Sequence, residues 1–256
     1  MDATEIGRQL AEARRAGCKL DAYPGDKPAD QAQALAVQDA MVRAMAVPVA
    51  GWKVGLTSRR AQQLCGVDQP LAGPVFRNCV YENGVQVPLV EADLAVLEAE
   101  IGFRLKADLP ARVEPYDRRE VAAAIDTLVP MFEWVNKRLP GGLMDELEWI
   151  VADGVMNRAL VCGEGVAFSP EIDLKAETVR VFKDDVQVTD GVGANALGDP
   201  MAVMIWLAND LSQRGKSLMA GDVVATGLIC DMVQAEPGST FRAEFGQIGS
   251  VALSVK

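Results

Sequence analysis

Three glutamates sit in strand-like runs that are otherwise apolar. In "LAVLEAEIGFRL" (94–105), Leu97, Ala99, Ile101, Phe103 and Leu105 recur at every second position and mark the buried face of a strand. Glu98 and Glu100 fall side by side on the opposite face, between Val96 and Gly102. Same-face neighbours on a strand lie roughly 7 Å apart at Cα, so two carboxylates there converge on one point only around a cation. The alternative is the solvated polar face of an antiparallel strand. Glu133 weighs against it. This residue is the acid of a second apolar run, "VPMFEWVNKR" (129–138), where it stands between Phe132 and Trp134 and would be costly to bury unpaired.

The sequence has 256 residues and no histidine. Ser-His-Asp and Cys-His nucleophilic machinery is therefore excluded, as are the imidazole ligands usual for zinc, copper or non-haem iron. A metal held by oxygen points to a hard cation, Mg²⁺ or Mn²⁺. Lys53, in "GWKVGL", is the next anomaly, an ammonium among apolar and glycine positions. It either pairs with the metal-binding acids or a substrate carboxylate, or snorkels from a strand end. Thr226 and Gly227, in "VVATGLI", offer a hydroxyl and an approachable backbone. "GVGANALG" (191–198) lacks phosphate-loop and dinucleotide spacing and does not lie between a strand and a helix, so no nucleotide is expected there.

The elements that position these residues follow from periodicity and punctuation. Residues 30–46 keep helical spacing, 50–56 read as a strand, and Thr57 or Ser58 caps a short helix in "TSRRAQQLCG". Asn83-Gly84 between apolar residues signals a hairpin. A helix is expected over 117–129, a strand over 129–138, and a helix in "MDELEWIVADG" up to Gly154. "RALVCGEGVAF" and "ETVRVFKDDVQV" read as strands, the second a hairpin turning near Asp184-Asp185. Pro200 and Gly215 bracket a helix, and short strands fill the remainder. Helices dominate early and strands late, so the class is α+β.

Composition narrows the partners. A formal net charge of −11 argues against nucleic acid and against anionic membrane surfaces, and half of the residues are hydrophobic, enough for a substantial core. "MDATEIGRQLAEARRAG" reads as an amphipathic helix with Ile6 and Leu10 on one side rather than a secretion signal. The five cysteines are scattered and never form a CxxC pair, which fits reduced thiols and a cytoplasmic setting.

The blocks "GWKVGLTS", "GVDQP", "LEAEIGF", "PMFEWVNKR", "VADG", "ALGDP", "WLANDL", "GDVVATG" and "GQIGSVALSV" span nearly the whole chain. Together they resemble the 2-keto-4-pentenoate hydratase and 4-oxalocrotonate decarboxylase family of the fumarylacetoacetate hydrolase superfamily. The resemblance implies a mixed-sheet core (a β-roll) over 76–256 with a smaller N-terminal helical α/β portion over 1–75, one continuous domain being the alternative, assembled as a homo-oligomer. It implies that Glu98, Glu100 and Glu133 are the metal ligands, that Lys53 is catalytic, and that Leu56, Arg138, Thr226 and Gly227 bind substrate. The activity implied is that of a lyase on a short unsaturated 2-oxo acid in aromatic-compound breakdown. Hydration of 2-hydroxypenta-2,4-dienoate is the first expectation; oxalocrotonate-type decarboxylation and a silent metal-binding relative are the alternatives. Without histidine, the superfamily's hydrolases fit poorly.

Several positions depart from the family pattern. Leu71 stands where hydratases carry aspartate, which leans toward decarboxylation. Gly154, Val155 and Met156 replace polar residues, Asn136 replaces an aspartate, and Asp199 replaces a histidine.

Overall fold

The computed structural model describes residues 1–142 and 146–256, and of Asp93 the backbone alone. The chain opens with α1 (Ala3–Ala16), whose N-cap Asp2 accepts from the Thr4 and Glu5 N–H groups, and α2 (Gln31–Met45), capped by Asp30. Ile6 and Leu10 are buried, as their spacing predicts. Strand β1 (Val49–Gly55) follows, then α3 (Arg59–Cys65) with Ser58 as its cap, and β2 (Leu71–Phe76).

Asn83-Gly84 does not make a hairpin. The flanking strands β3 (Val80–Glu82) and β4 (Val85–Val87) enter different sheets. Asn83 Oδ1 accepts from the Ala252 N–H at 2.7 Å, and the Gly84 N–H donates to the Ala252 carbonyl at 2.9 Å. The turn is therefore tied to a distant strand rather than closing on itself.

Two long strands come next, β5 (Asp93–Leu105) and β6 (Ile125–Asn136), joined through α4 (Arg118–Ala124). The helix expected over 117–129 ends at Ala124, because Ile125–Val129 pairs with Leu105–Gly102 of β5. Tertiary pairing overrides local helical spacing there. Helix α5 (Leu147–Ala152) is shorter than expected, and Met144 and Asp145 lie outside the described residues. Strands β7 (Asn157–Cys162) and β8 (Val166–Ala167) precede the hairpin of β9 (Thr178–Lys183) and β10 (Val186–Val192), which turns at Asp184-Asp185 as expected. Helix α6 (Pro200–Gln213) has Asp199 as its cap. Strands β11 (Val223–Ala225), β12 (Val233–Gln234), β13 (Thr240–Phe245) and β14 (Ser250–Val255) complete the chain.

Among the described residues, the larger sheet runs β2-β1-β11-β5-β6-β7-β3, with β12 on β5 and β8 on β6; the smaller runs β10-β9-β13-β14-β4. The result is a mixed α+β fold with a curled sheet core and a smaller N-terminal α/β region. The N-terminal portion contributes β1 and β2 to the larger sheet, so residue 75 falls inside β2.

Leu97, Ile101, Phe103, Phe132 and Trp134 meet Val181, Phe241 and Val251 of the smaller sheet and Met204 and Leu207 of α6 in the main core. A second cluster joins α1 and α2 to Leu71, Phe76, Trp149 and Ile150. The opposite face of the larger sheet carries the acids beside a third, smaller apolar cluster that includes Val129, Met131, Leu160 and Ala225. Among the described residues no helix is long and apolar enough to cross a membrane.

Candidate metal centre

Register brings the three acids together. β5 and β6 are antiparallel and place Glu98 directly opposite Glu133. Directly paired residues share a face with Cβ atoms about 5 Å apart, and Glu100 lies two residues along the same face. One carboxylate oxygen from each of Glu98, Glu100 and Glu133 lies within 4.8 Å of the other two. Glu100 and Glu133 are both 0 % exposed, which removes the solvated-face alternative.

Lys53 reaches this patch from β1, across β11. It pairs in register with Ala225, which pairs with Gly102 of β5. Neither residue puts bulk between the lysine and the acids. Lys53 is buried, and its Nζ stands 3.1 Å from Glu133 Oε2. Burial works against its charge, but the attractions of Glu133, Glu98 and Glu100 outweigh it and hold the ammonium above its ordinary range.

The acids respond in the opposite sense. Burial, then repulsion from Glu133, pushes Glu98 up to about 7 against the pull of Lys53. Burial, Glu133 and Glu98 push Glu100 well above the usual carboxylate range. Three crowded carboxylates and one ammonium leave a deficit of positive charge.

The turn after β11 completes the floor. The Gly227 N–H donates to Glu100 Oε2 at 2.6 Å, and the Thr226 hydroxyl donates to the Ile101 carbonyl at 2.6 Å. Gly227 has φ +95°, and a Cβ there would stand 1.9 Å from Thr57 Oγ1, so only glycine fits. Glu100 Oε1 is buried without a hydrogen-bond partner. An orphaned carboxylate oxygen beside two more acids is what a hard cation needs, and the all-oxygen donor set suits Mg²⁺ or Mn²⁺. The cluster therefore fits a divalent ion held by Glu98, Glu100 and Glu133.

Above this floor opens a cavity of about 580 Å³, whose lining includes Lys53, Leu56, Glu98 and Gly227. Leu56 is held at φ +56° and its carbonyl accepts from the Gln62 amide at 2.9 Å. Thr226 and Arg138 are not brought to the wall. Arg138 lies buried behind it, its Nε donating to Asp153 Oδ1 at 2.8 Å and its Nη1 to Asn136 Oδ1 at 2.7 Å. The family resemblance implies substrate contact for both; Thr226 bonds at the β11–β5 junction and Arg138 sits in a buried ion pair. The replaced residues Leu71, Val155 and Met156 do line the cavity, whereas Asp199 caps α6 and pairs with Arg118 at 2.8 Å.

Asn157 went unrecognised in the sequence. Its amide donates to Glu133 Oε1 at 2.9 Å, while its backbone carbonyl accepts from Arg14 at 2.7 Å and from Arg138 at 3.3 Å. The one available signal was an amide side chain opening the apolar run "NRALVC". Outer partners that orient a ligand typically contribute 10- to 100-fold to affinity. Asn157→Leu is thus expected to weaken Mn²⁺ binding by about 10-fold or more, read by calorimetric titration; unchanged affinity would remove Asn157 from the site.

The profile of the fumarylacetoacetate (FAA) hydrolase C-terminal family matches residues 60–256. A 2-keto-4-pentenoate hydratase of Paraburkholderia xenovorans (strain LB400) is 31% identical over 252 residues, covering 96% of this chain and 92% of its own. The 2-keto-4-pentenoate hydratase 1 of Dechloromonas aromatica (strain RCB) is 32% identical over 255 residues, with coverages of 98% and 96%. The 4-oxalocrotonate decarboxylase from Pseudomonas putida G7, complexed with magnesium and adipate, superposes with a TM-score of 0.89 at 27% identity, covering 99% of this chain and 97% of that one.

Proposed function

Since this chain belongs to the fumarylacetoacetate hydrolase superfamily, within the 2-keto-4-pentenoate hydratase and 4-oxalocrotonate decarboxylase family, we propose that it is a divalent-cation-dependent lyase. Its substrate is a short unsaturated 2-oxo acid from aromatic-compound breakdown, and its reaction is hydratase-like. One observation carries this reading: three acids with an orphaned oxygen, beside a buried lysine, at the floor of an open cavity.

Glu98, Glu100 and Glu133 would hold the ion. Bound there, Mg²⁺ or Mn²⁺ supplies a Lewis acid for the carboxylate and 2-oxo oxygens of the substrate. The Gly227 N–H and the Asn157 amide fix the orientations of Glu100 and Glu133. Lys53 is the catalytic residue. Its ammonium balances the acids and presents N–H groups to a substrate carboxylate on the cavity side. Gly227 and Leu56 form the substrate-facing turns.

Hydration is supported by the relatives at 31% and 32% identity, both hydratases by name. A second reading, decarboxylation, is favoured by Leu71, a buried apolar side chain on the wall where an acid would handle water. The protein is taken as cytoplasmic and homo-oligomeric, with no nucleic-acid or membrane partner. Its net charge and five free cysteines support that setting.

Incubation with 2-hydroxypenta-2,4-dienoate and with 4-oxalocrotonate, with and without Mg²⁺, tests the reading. The expected result is cation-dependent loss of the dienoate absorbance with no CO₂. Release of CO₂ from oxalocrotonate would move the protein to the decarboxylases. Inertness toward both, with Mn²⁺ shown to bind, would make it a silent relative.

A further inference from the structure

We infer that the substrate carries an alkyl or aryl tail several carbons longer than a pentadienoate and has no second carboxylate at its far end. This inference rests on the 2-oxo acid reading of the site, keeps its head-group chemistry and lengthens its tail, with 2-hydroxypenta-2,4-dienoate as a weaker-binding substrate.

The cavity volume is the first ground. At about 30 Å³ per water-sized group, a five-carbon 2-oxo acid fills less than half of the roughly 580 Å³ available. Lys53, Glu98 and Gly227 are the polar groups of the acid floor, and Thr57, Ser58 and Asn195 add neutral polar groups to the lining. The largest part of the remaining wall is apolar and includes Leu56, Leu71, Val96, Val135, Ile150 and Val155. Leu71, Val135, Ile150 and Val155 are buried, so this wall is packed and not a loose rim. These apolar groups gain from burying methylenes and offer no partner to a charged end.

Charge is the second ground. Among the described residues, the cations lining the cavity are Lys53, already paired with Glu133, and Arg60, which is exposed. The exposed acids Asp190 and Asp231 share the lining with Arg60. A distal carboxylate would lose water against the apolar wall, and near the opening Arg60 is outnumbered by Asp190 and Asp231.

The backbone supplies the third ground. Leu56, Val155 and Met156 have φ of 56°, 57° and 57°, and all three line the cavity. Left-handed φ is strained for any side chain, most of all for a β-branched one. Glycine would relax each position. The chain instead keeps bulky apolar groups there, and strain retained at a cavity wall points to a role in what the cavity accepts.

Calorimetric titration of the Mn²⁺-loaded full-length protein tests the inference. The probes are 2-oxopentanoate, 2-oxooctanoate, 4-phenyl-2-oxobutanoate and the diacid 2-oxosuberate. Affinity is expected to rise about fourfold per added methylene from the first to the second, with the phenyl compound also tighter than 2-oxopentanoate. The diacid is expected to bind at least about tenfold more weakly than 2-oxooctanoate. Equal affinity for 2-oxopentanoate and 2-oxooctanoate would overturn the tail, and a diacid that binds as tightly as 2-oxooctanoate would overturn the uncharged end. If Mn²⁺ binds and none of the four acids does, the 2-oxo acid reading itself fails, and the inference with it.

Discussion

Glu100→Gln should leave the metal-free protein at least as stable as the wild type while abolishing its response to divalent cations. In the metal-free site, burial and the neighbouring Glu133 and Glu98 hold the Glu100 carboxyl well above the usual range. A neutral amide of the same shape removes that repulsion, and its oxygen can still accept from the Gly227 N–H in place of Glu100 Oε2. With a cation present the balance reverses. The ion loses one of three charged oxygen donors and finds an amide nitrogen in reach instead. Even outer-partner mutations weaken metal binding by about 10- to 100-fold, so loss of a ligand should exceed that.

The measurement is thermal unfolding with and without Mn²⁺. At a hundred times Kd, binding stabilises the wild type by about 2.7 kcal/mol, or roughly 5–10 °C for a chain of this size. The variant is expected to show no shift and to have lost cation-dependent turnover. A full wild-type shift, with activity, would remove Glu100 from the metal site.

Lys53→Met is expected to behave in the opposite way. The ammonium is the positive charge that faces all three acids, and it is buried beside Glu133. Methionine keeps much of the length and none of the charge. Removing one partner of a buried pair costs about 3–5 kcal/mol, because the other charge is left uncompensated. The metal-free variant should therefore melt well below the wild type. A bound cation restores positive charge to the same acids, so Mn²⁺ should raise the melting temperature of this variant by more than it raises that of the wild type. Turnover should still fall by about 100-fold or more, in kcat or in KM, since a directed charged hydrogen bond to the substrate is gone. Wild-type kinetics in Lys53→Met would leave the lysine a structural counter-ion only. Together the two variants separate the roles: one loses the metal response without destabilisation, the other is destabilised and gains from metal.

The chain-local part of this site was legible in the residues. Period-two alternation alone puts Glu98 and Glu100 on one face of a strand, and the absence of histidine alone restricts a metal to oxygen donors. Ser58 and Pro200 announced helix starts, since capping is a matter of a few adjacent residues. Non-local pairing decided the rest. The same local signals misplaced the end of α4 and the Asn83-Gly84 turn, because strands distant in sequence claimed those backbones.

Glu133 becomes a neighbour of Glu98 through the β5–β6 register, and a slip of one residue would turn it to the main core. Lys53 reaches the acids because β11 inserts between β1 and β5 with Ala225 in its path. Arg138 turns away to Asp153, Asn157 turns in to Glu133, and the apolar cavity wall is gathered from five separate stretches of chain. Composition and spacing determined which chemistry was available to this protein. Only the tertiary structure decided where those groups meet, because burial and cross-strand register are set by partners that sequence neighbours do not specify.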